Sequence, residues 1–255
     1  MRVRNVFVAA VAAVAVLALS GVGSASAAPQ TGGNGVSPML LDGQSFLEVK
    51  DNGDLIRWGA GYQNAQVGNG WGDARLITGL GRTPGNPQRD DFLEVKANGD
   101  LIEWLGDNTG TTYVPTQVGT GWGDARLITG LDDTHFIEVK NSGELVMWTW
   151  NGSNWVPSHA GDGWGDARII VGLATNDFLE VKANGDLIEW TDSGSGFQGK
   201  QVGNGWGDAR LLAGVSYTRF VEVKASGDLI EWNWSAGSYV PTFIGGGWDN
   251  ARLLG

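Results

Sequence analysis

The chain alternates apolar and polar positions in runs too short for helices. Residues 167–206 show the pattern once in full. Ala167-Arg168-Ile169-Ile170-Val171 is aliphatic and partly β-branched, and it stops at Gly172. Phe178-Leu179-Glu180-Val181-Lys182 follows. Next comes Ala183-Asn184-Gly185-Asp186, whose Asn-Gly pair is a strong short-range hairpin signal. Leu187-Ile188-Glu189-Trp190 reads as the returning strand. After a loop, Gln201-Val202-Gly203 leads into Gly205-Trp206. The pattern predicts four short antiparallel strands, and no 3.6-residue period long enough for a helix occurs beyond the N-terminal segment.

That unit is copied along the chain. Gly-Trp-Gly-Asp-Ala-Arg occurs four times, with an altered fifth copy near the C-terminus. Its tryptophans, Trp71, Trp122, Trp164, Trp206 and Trp248, are spaced by 51, 42, 42 and 42 residues. Phe46, Phe92, Phe136, Phe178 and Phe220 keep the same beat. So do Trp58, Trp104, Trp148, Trp190 and Trp232, each twelve residues after its phenylalanine. A four-stranded unit of this period, repeated five times, predicts an all-β, five-bladed β-propeller. A solenoid is the rival, but it needs distinct polar end caps, and the last copy runs to Gly255 without one. Ala251–Leu254 has the character of a first strand, while Phe46 opens a second strand. The C-terminal strand is therefore expected to complete the first blade. Met39-Leu40-Leu41 resembles a further copy of that strand and competes for the same place.

Large aromatics between flat blades are expected as packing, Trp104 and Trp190 among them. Glu48, Glu94, Glu138, Glu180 and Glu222 recur in every unit, as do Arg75, Arg126, Arg168, Arg210 and Arg252. A charge partly buried between strands needs a partner, and a ring of Glu–Arg pairs is the expectation.

The ends and composition narrow the class. Arg2, Arg4, the apolar run Val6–Leu19 and Ala25-Ser26-Ala27 have the form of a secretory signal peptide over residues 1–27. Residues 28–38 read as a flexible leader and 39–255 as the propeller, so a secreted, extracellular protein is expected. There is no cysteine, which excludes disulfides, thiol nucleophiles and Cys-ligated zinc. The net charge of −11 argues against nucleic acid and anionic membranes as partners.

Catalytic chemistry has little support. His135 and His159 occur only in the third unit, at different registers, and form no metal-spaced pair. Asp90, Asp91, Asp132 and Asp133 lie outside the repeat and are the acids that would mark an asymmetric cleft. No catalytic residue, metal or cofactor is expected. A sugar site is what the repeats supply: an aromatic face for the C–H surface and a planar polar group for the hydroxyls. The aromatic candidates are the loop residues Tyr62, Tyr113, Trp155, Phe197 and Tyr239 and the Gly-Trp tryptophans. The polar candidates are Asp73, Asp124, Asp166, Asp208 and Asn250. Each set has a structural alternative: packing under the loop, core packing and turn formation respectively.

The units resemble the tachylectin family of five-bladed propeller lectins. Gly121-Trp122-Gly123-Asp124-Ala125-Arg126-Leu127-Ile128 carries the likeness, and Gly246-Gly247-Trp248-Asp249-Asn250-Ala251-Arg252-Leu253-Leu254 is the closest copy. The resemblance covers residues 39–255. It implies sites for N-acetylglucosamine or N-acetylgalactosamine at the loops between blades, around Trp71/Asp73 and their copies. The family's Asn-Trp loop ending is matched only by Asn154-Trp155, and the unit is shorter than the family's usual blade. The expected protein is a monomeric lectin-like export of a bacterium, with cell-wall glycans or chitin as targets. A protein-interaction platform is the alternative, and a glycan hydrolase or lyase a more distant one.

Overall fold

The structure, a computed structural model, describes residues 45–83, 86–107 and 110–255. The signal peptide, the leader and Met39-Leu40-Leu41 lie outside the described residues. Blade 1 contains β1 (Phe46–Lys50), β2 (Leu55–Trp58) and β3 (Asn64–Gly68). Blade 2 contains β4 (Ala74–Thr83), β5 (Asn86–Lys96), β6 (Leu101–Gly106) and β7 (Tyr113–Gly119). Blade 3 contains β8 (Ala125–Asp132), β9 (His135–Lys140), β10 (Leu145–Trp150) and β11 (Trp155–Gly161). Blade 4 contains β12 (Ala167–Ala174), β13 (Asp177–Lys182), β14 (Leu187–Asp192) and β15 (Phe197–Gly203). Blade 5 contains β16 (Ala209–Ser216), β17 (Arg219–Lys224), β18 (Leu229–Ser235) and β19 (Ser238–Gly245). The last strand, β20 (Ala251–Leu254), returns to blade 1, giving the order β20-β1-β2-β3. The protein is a five-bladed β-propeller with four antiparallel strands per blade.

Closure is made by hydrogen bonds between the two ends of the described chain. Glu48 faces Leu254 and Val49 faces Leu253 across β1 and β20. Leu47 N donates to Gly255 O at 2.6 Å, and Gly255 N donates back to Leu47 O at 3.0 Å.

The core is a set of five seams between blades. Between blades 1 and 2, Leu47, Val49 and Leu55 meet Phe92, Trp104 and Tyr113, with Trp71 wedged among them. Between blades 5 and 1, Val221, Val223 and Leu229 meet Phe46, Trp58 and Tyr62 around Trp248. The three other seams repeat the scheme. Burying one large apolar side chain is worth roughly 1.5–3 kcal/mol, so these seams, tryptophans included, hold together a chain without disulfides. At the ring's centre, β4, β8, β12, β16 and β20 line a cavity of about 500 Å³ with largely aliphatic walls.

The Glu–Arg ring expected from sequence is not formed. Each glutamate instead accepts from the indole Nε1 ten residues on, as Glu48 does from Trp58 at 2.9 Å and Glu138 from Trp148 at 3.0 Å. The other three pairs are the same at 2.9 Å. Each arginine reaches forward to the next blade and donates to two backbone carbonyls. Arg126 takes Ala167 O and Trp164 O, and Arg252 takes Ala74 O and Trp71 O, which closes the circle. The cause is geometric. In the hairpin register Glu48 faces Ile56, so Trp58 is its diagonal same-face neighbour, while the arginine lies over the adjacent blade's backbone. Burial pushes these glutamates above the ordinary carboxylate value, and indole donation pulls them back.

Candidate binding face

One end of the ring carries the Gly-Trp turns and the Asn-Gly hairpins together. The turn at Gly70 is left-handed, φ 81°, which a side chain at that position resists. It places Trp71 N on Gly53 O at 3.0 Å, locking the turn entering blade 2 onto the hairpin of blade 1. Asp73 O then accepts from Ala97 N at 2.8 Å, tying the turn to the hairpin of blade 2. The same contacts recur at Trp122, Trp164 and Trp206.

The aromatic candidates are drawn into the seams. Trp71, Trp122, Trp164, Trp206 and Trp248 are only 6–7% exposed. Each lies about 4.6–4.7 Å, centroid to centroid, from the tryptophan of the blade it enters. The stacking role expected of them is closed off by that burial: they are core. The loop aromatics follow suit. Tyr62, Tyr113, Trp155, Phe197 and Tyr239 each pack edge-on against the phenylalanine of their own blade, at 4.8–6.5 Å. They are packing under the loop.

The polar candidates remain at the surface. Asp73, Asp166 and Asp208 have side chains about half exposed, 53%, 50% and 50%, and pair with Lys96, Lys182 and Lys224 at 3.0–3.1 Å. At Asp124 the neighbouring Lys140 turns to Glu144 at 3.1 Å. Asn250 takes the fifth place. At three of the five blades stands a second repeated group that sequence reading missed. Asn52, Asp54 and Gln66 are joined by side-chain bonds of 2.8 and 2.9 Å. Asn98, Asp100 and Gln117 form the same cluster, and so do Asn184, Asp186 and Gln201. Its signal was available: the glutamine keeps step with the repeat, two residues before the glycine that ends the outer strand.

The glycine inside each turn adds an observation. Gly72, Gly123, Gly165 and Gly207 lie outside the left-handed region, and a Cβ on any of them would meet nothing within 4 Å. Neither backbone conformation nor close packing requires glycine there. The bare turn leaves main chain open beside a carboxylate and, in three of the four, its paired ammonium.

The opposite end of the ring obeys another rule. There the residue before the third-strand tryptophan differs from blade to blade, and at the seam between blades 5 and 1 it meets the next blade's loop aromatic. Glu231 accepts from Tyr62 Oη at 2.5 Å, with Arg219 3.5 Å from the same carboxylate. Asp177 and Glu189 face Tyr239. Met147 and Phe197 both pack against the apolar cluster of the seam between blades 3 and 4. Burial, then the Glu189 charge, pushes the Asp177 carboxyl up to about 7. Its Oδ1 is buried without a hydrogen-bond partner. His135 pairs with Asp132 at 3.0 Å at this end, and His159, at the Gly-Trp end, lies 3.3–3.4 Å from Asp162 and Glu144. Asp91 caps Gly106 N at 3.0 Å, and the side chain of Asp90 lies outside the described residues. Among the described residues no three His, Asp or Glu side chains are placed to share a metal.

No family model matches the chain, and no curated protein does. Solved structures do resemble it. One is yeast RCC1 (Prp20) bound to Kap60: 14% identity, 79% of this chain and 59% of that chain, TM-score 0.41. Another is AofleA from Arthrobotrys oligospora: 16% identity, 67% and 56%, TM-score 0.44. A third is a point mutant of the Aleuria aurantia lectin AAL in complex with Fucalpha1-6GlcNAc: 12% identity, 80% and 74%, TM-score 0.46. The chain thus spans less than two thirds of the length of the first two.

Proposed function

We propose that the protein is a secreted, non-catalytic lectin of the tachylectin type, binding N-acetylated amino sugars at up to five Gly-Trp turns and acting by avidity. The carrying observation is the repeated bare turn: Gly72, Gly123, Gly165 and Gly207 are glycines that the fold does not need, each followed by an exposed aspartate. In this reading Asp73, Asp124, Asp166 and Asp208 accept from sugar hydroxyls, and the bare main chain admits the ring and its acetamido group. Lysines 96, 182 and 224 hold the carboxylates in place. Single contacts of this kind are weak. Several turns engaging one clustered glycan gain roughly 10²–10⁴-fold.

Calorimetric titration with N-acetylglucosamine and N-acetylgalactosamine tests this. The expected stoichiometry is four or five per chain, falling by one in Asp124→Ala. A second reading, a protein-interaction platform, draws on the outward-facing Val114, Val156 and Val240, which are 60%, 44% and 47% exposed on outer strands. Absence of binding to any glycan would leave that reading in front.

A further inference from the structure

The seam between blades 5 and 1 breaks the pattern of the binding end at several positions together. Asn250 stands where the other turns have aspartate, and Asp249 where they have glycine. Phe243 stands where the outer strands carry Gln66, Gln117, His159 and Gln201: it faces Ile230 as Gln201 faces Ile188. Its ring is 64% exposed, although the other phenylalanine of that blade is fully buried.

The charge consequence falls on Lys50. The equivalent lysines are each neutralised by a carboxylate at 3.0–3.1 Å: Lys96 by Asp73, Lys140 by Glu144, Lys182 by Asp166 and Lys224 by Asp208. Opposite Lys50 the carboxylate has become the Asn250 amide, whose backbone carbonyl is held by Asp51 N at 2.9 Å. Among the described residues no hydrogen bond or ion pair engages the Lys50 ammonium. Asp249 does not replace the missing partner by position, because its carboxylate lies toward Gly227 on the blade 5 hairpin.

We infer that this seam is a separate subsite for a carboxylate-bearing saccharide, with the acid on Lys50 and the Asn250 amide and an apolar sugar face on Phe243. An unpaired ammonium beside a neutral amide donor suits a carboxylate, and an exposed aromatic suits the C–H face of a sugar. The four other turns set a carboxylate where this one has the Asn250 amide, which repels the same ligand, and the Asp249 carboxylate of this turn lies toward Gly227 instead. The inference rests on the lectin reading for its ligand class and goes beyond it in assigning one seam a different sugar.

The test is titration of the whole mature chain with glucuronic acid and N-acetylneuraminic acid, with N-acetylglucosamine and acetate as parallel arms. One acidic sugar should bind at one equivalent, and acetate at least tenfold more weakly. Asn250→Asp, which restores the ion pair present elsewhere, should weaken the acidic sugar at least tenfold and leave N-acetylglucosamine bound at the four remaining turns. Phe243→Gln, the residue of three other blades, should weaken it severalfold without lowering the melting temperature. Acidic sugar binding that survives Asn250→Asp, or acetate binding as well as the sugars, overturns the subsite. Failure of both acidic sugars to bind overturns it whatever N-acetylglucosamine does. Failure of N-acetylglucosamine alone sinks the repeated sites and leaves this one standing.

Discussion

At the end of the ring that carries the Gly-Trp turns, Asn98, Asp100 and Gln117 reappear as Asn184, Asp186 and Gln201, although all reach the surface, the aspartates partly covered. At the opposite end the residue of the third strand changes from Arg57 to Glu103, Met147, Glu189 and Glu231, although it sits in a seam. At these positions an exposed cluster is kept in three blades, while a residue at a seam varies, against the background of a tryptophan and phenylalanine core that is copied in all five. The seam residue varies in matched sets. Phe197, the one loop aromatic without a polar atom, shares its seam cluster with Met147, whereas Tyr62 donates to Glu231 and Tyr239 feels the Glu189 charge. A buried hydroxyl needs a partner and a buried phenyl does not, so each seam must be solved as a unit. Duplication copied both ends alike. The exposed cluster holds its hairpin through side-chain and backbone bonds, and the lectin reading proposed above adds ligand contact as a second demand on it.

The largest effect is expected at the opposite end of the channel, where the inner strands come closest. A Cβ on Gly130 would lie 1.9 Å from Gly79 O, backbone against backbone, and Gly172 stands in the same relation to Gly130. Thr78 Oγ1 accepts from Gly130 N at 2.7 Å across the same gap, so the strands cannot separate without losing that bond. Gly130→Ala should cost at least about 3 kcal/mol, or prevent folding, read as a fall in the thermal midpoint. A variant melting like the wild type would show that the strands part easily, and the contrast between the two ends would weaken.

Asp177→Asn probes a seam with two acids, Asp177 and Glu189. The folded carboxyl is raised from 3.8 to about 7, by burial first and the Glu189 charge second. The native state therefore holds a proton that the unfolded chain releases between about pH 4 and 7. Wild-type stability falls as pH rises through that window, and the loss is complete above about 7. The asparagine variant should be more stable by on the order of 1–3 kcal/mol at pH 8 and by little at pH 4. Equal melting gains at both pH values would mean that Asp177 is not the titrating group.

Much of the fold was legible because the repeat puts each strand in view five times. The hairpins at Asn184-Gly185, the strand order and the closing role of Ala251–Leu254 all follow from period and phase. The site was less legible, because burial is a property of neighbouring blades and one unit does not show its neighbour. Trp122 reads as surface or core in its own sequence, and only Phe136 and Trp148 of the blade it enters make it core. Pairing Glu48 with an arginine weighs charge before register. The pairing of Phe46 with Trp58 already puts the indole on the glutamate's face. Phe243 escapes a reading of the repeats because it is unlike its counterparts, and a search for repeats discards what departs from them.

The smallest stability effect belongs to the binding end and separates its two explanations. Gly123 sits inside the short turn Trp122–Asp124, outside the left-handed region and with open space where a Cβ would go. Asp249 holds a side chain at the equivalent position, so the turn accepts one. Replacing such a glycine by alanine reduces the freedom of the unfolded chain and typically stabilises by about 0.4–1 kcal/mol. Gly123→Ala should therefore melt at or slightly above the wild-type temperature. If the bare turn exists to admit a saccharide, the same variant loses one of the four repeated N-acetylglucosamine equivalents, because the methyl group stands where the sugar ring approaches. A destabilised variant would mean that glycine is demanded by the fold after all, which would remove the observation on which the lectin reading rests. Unchanged stability with unchanged stoichiometry would leave the repetition as inheritance from duplication alone.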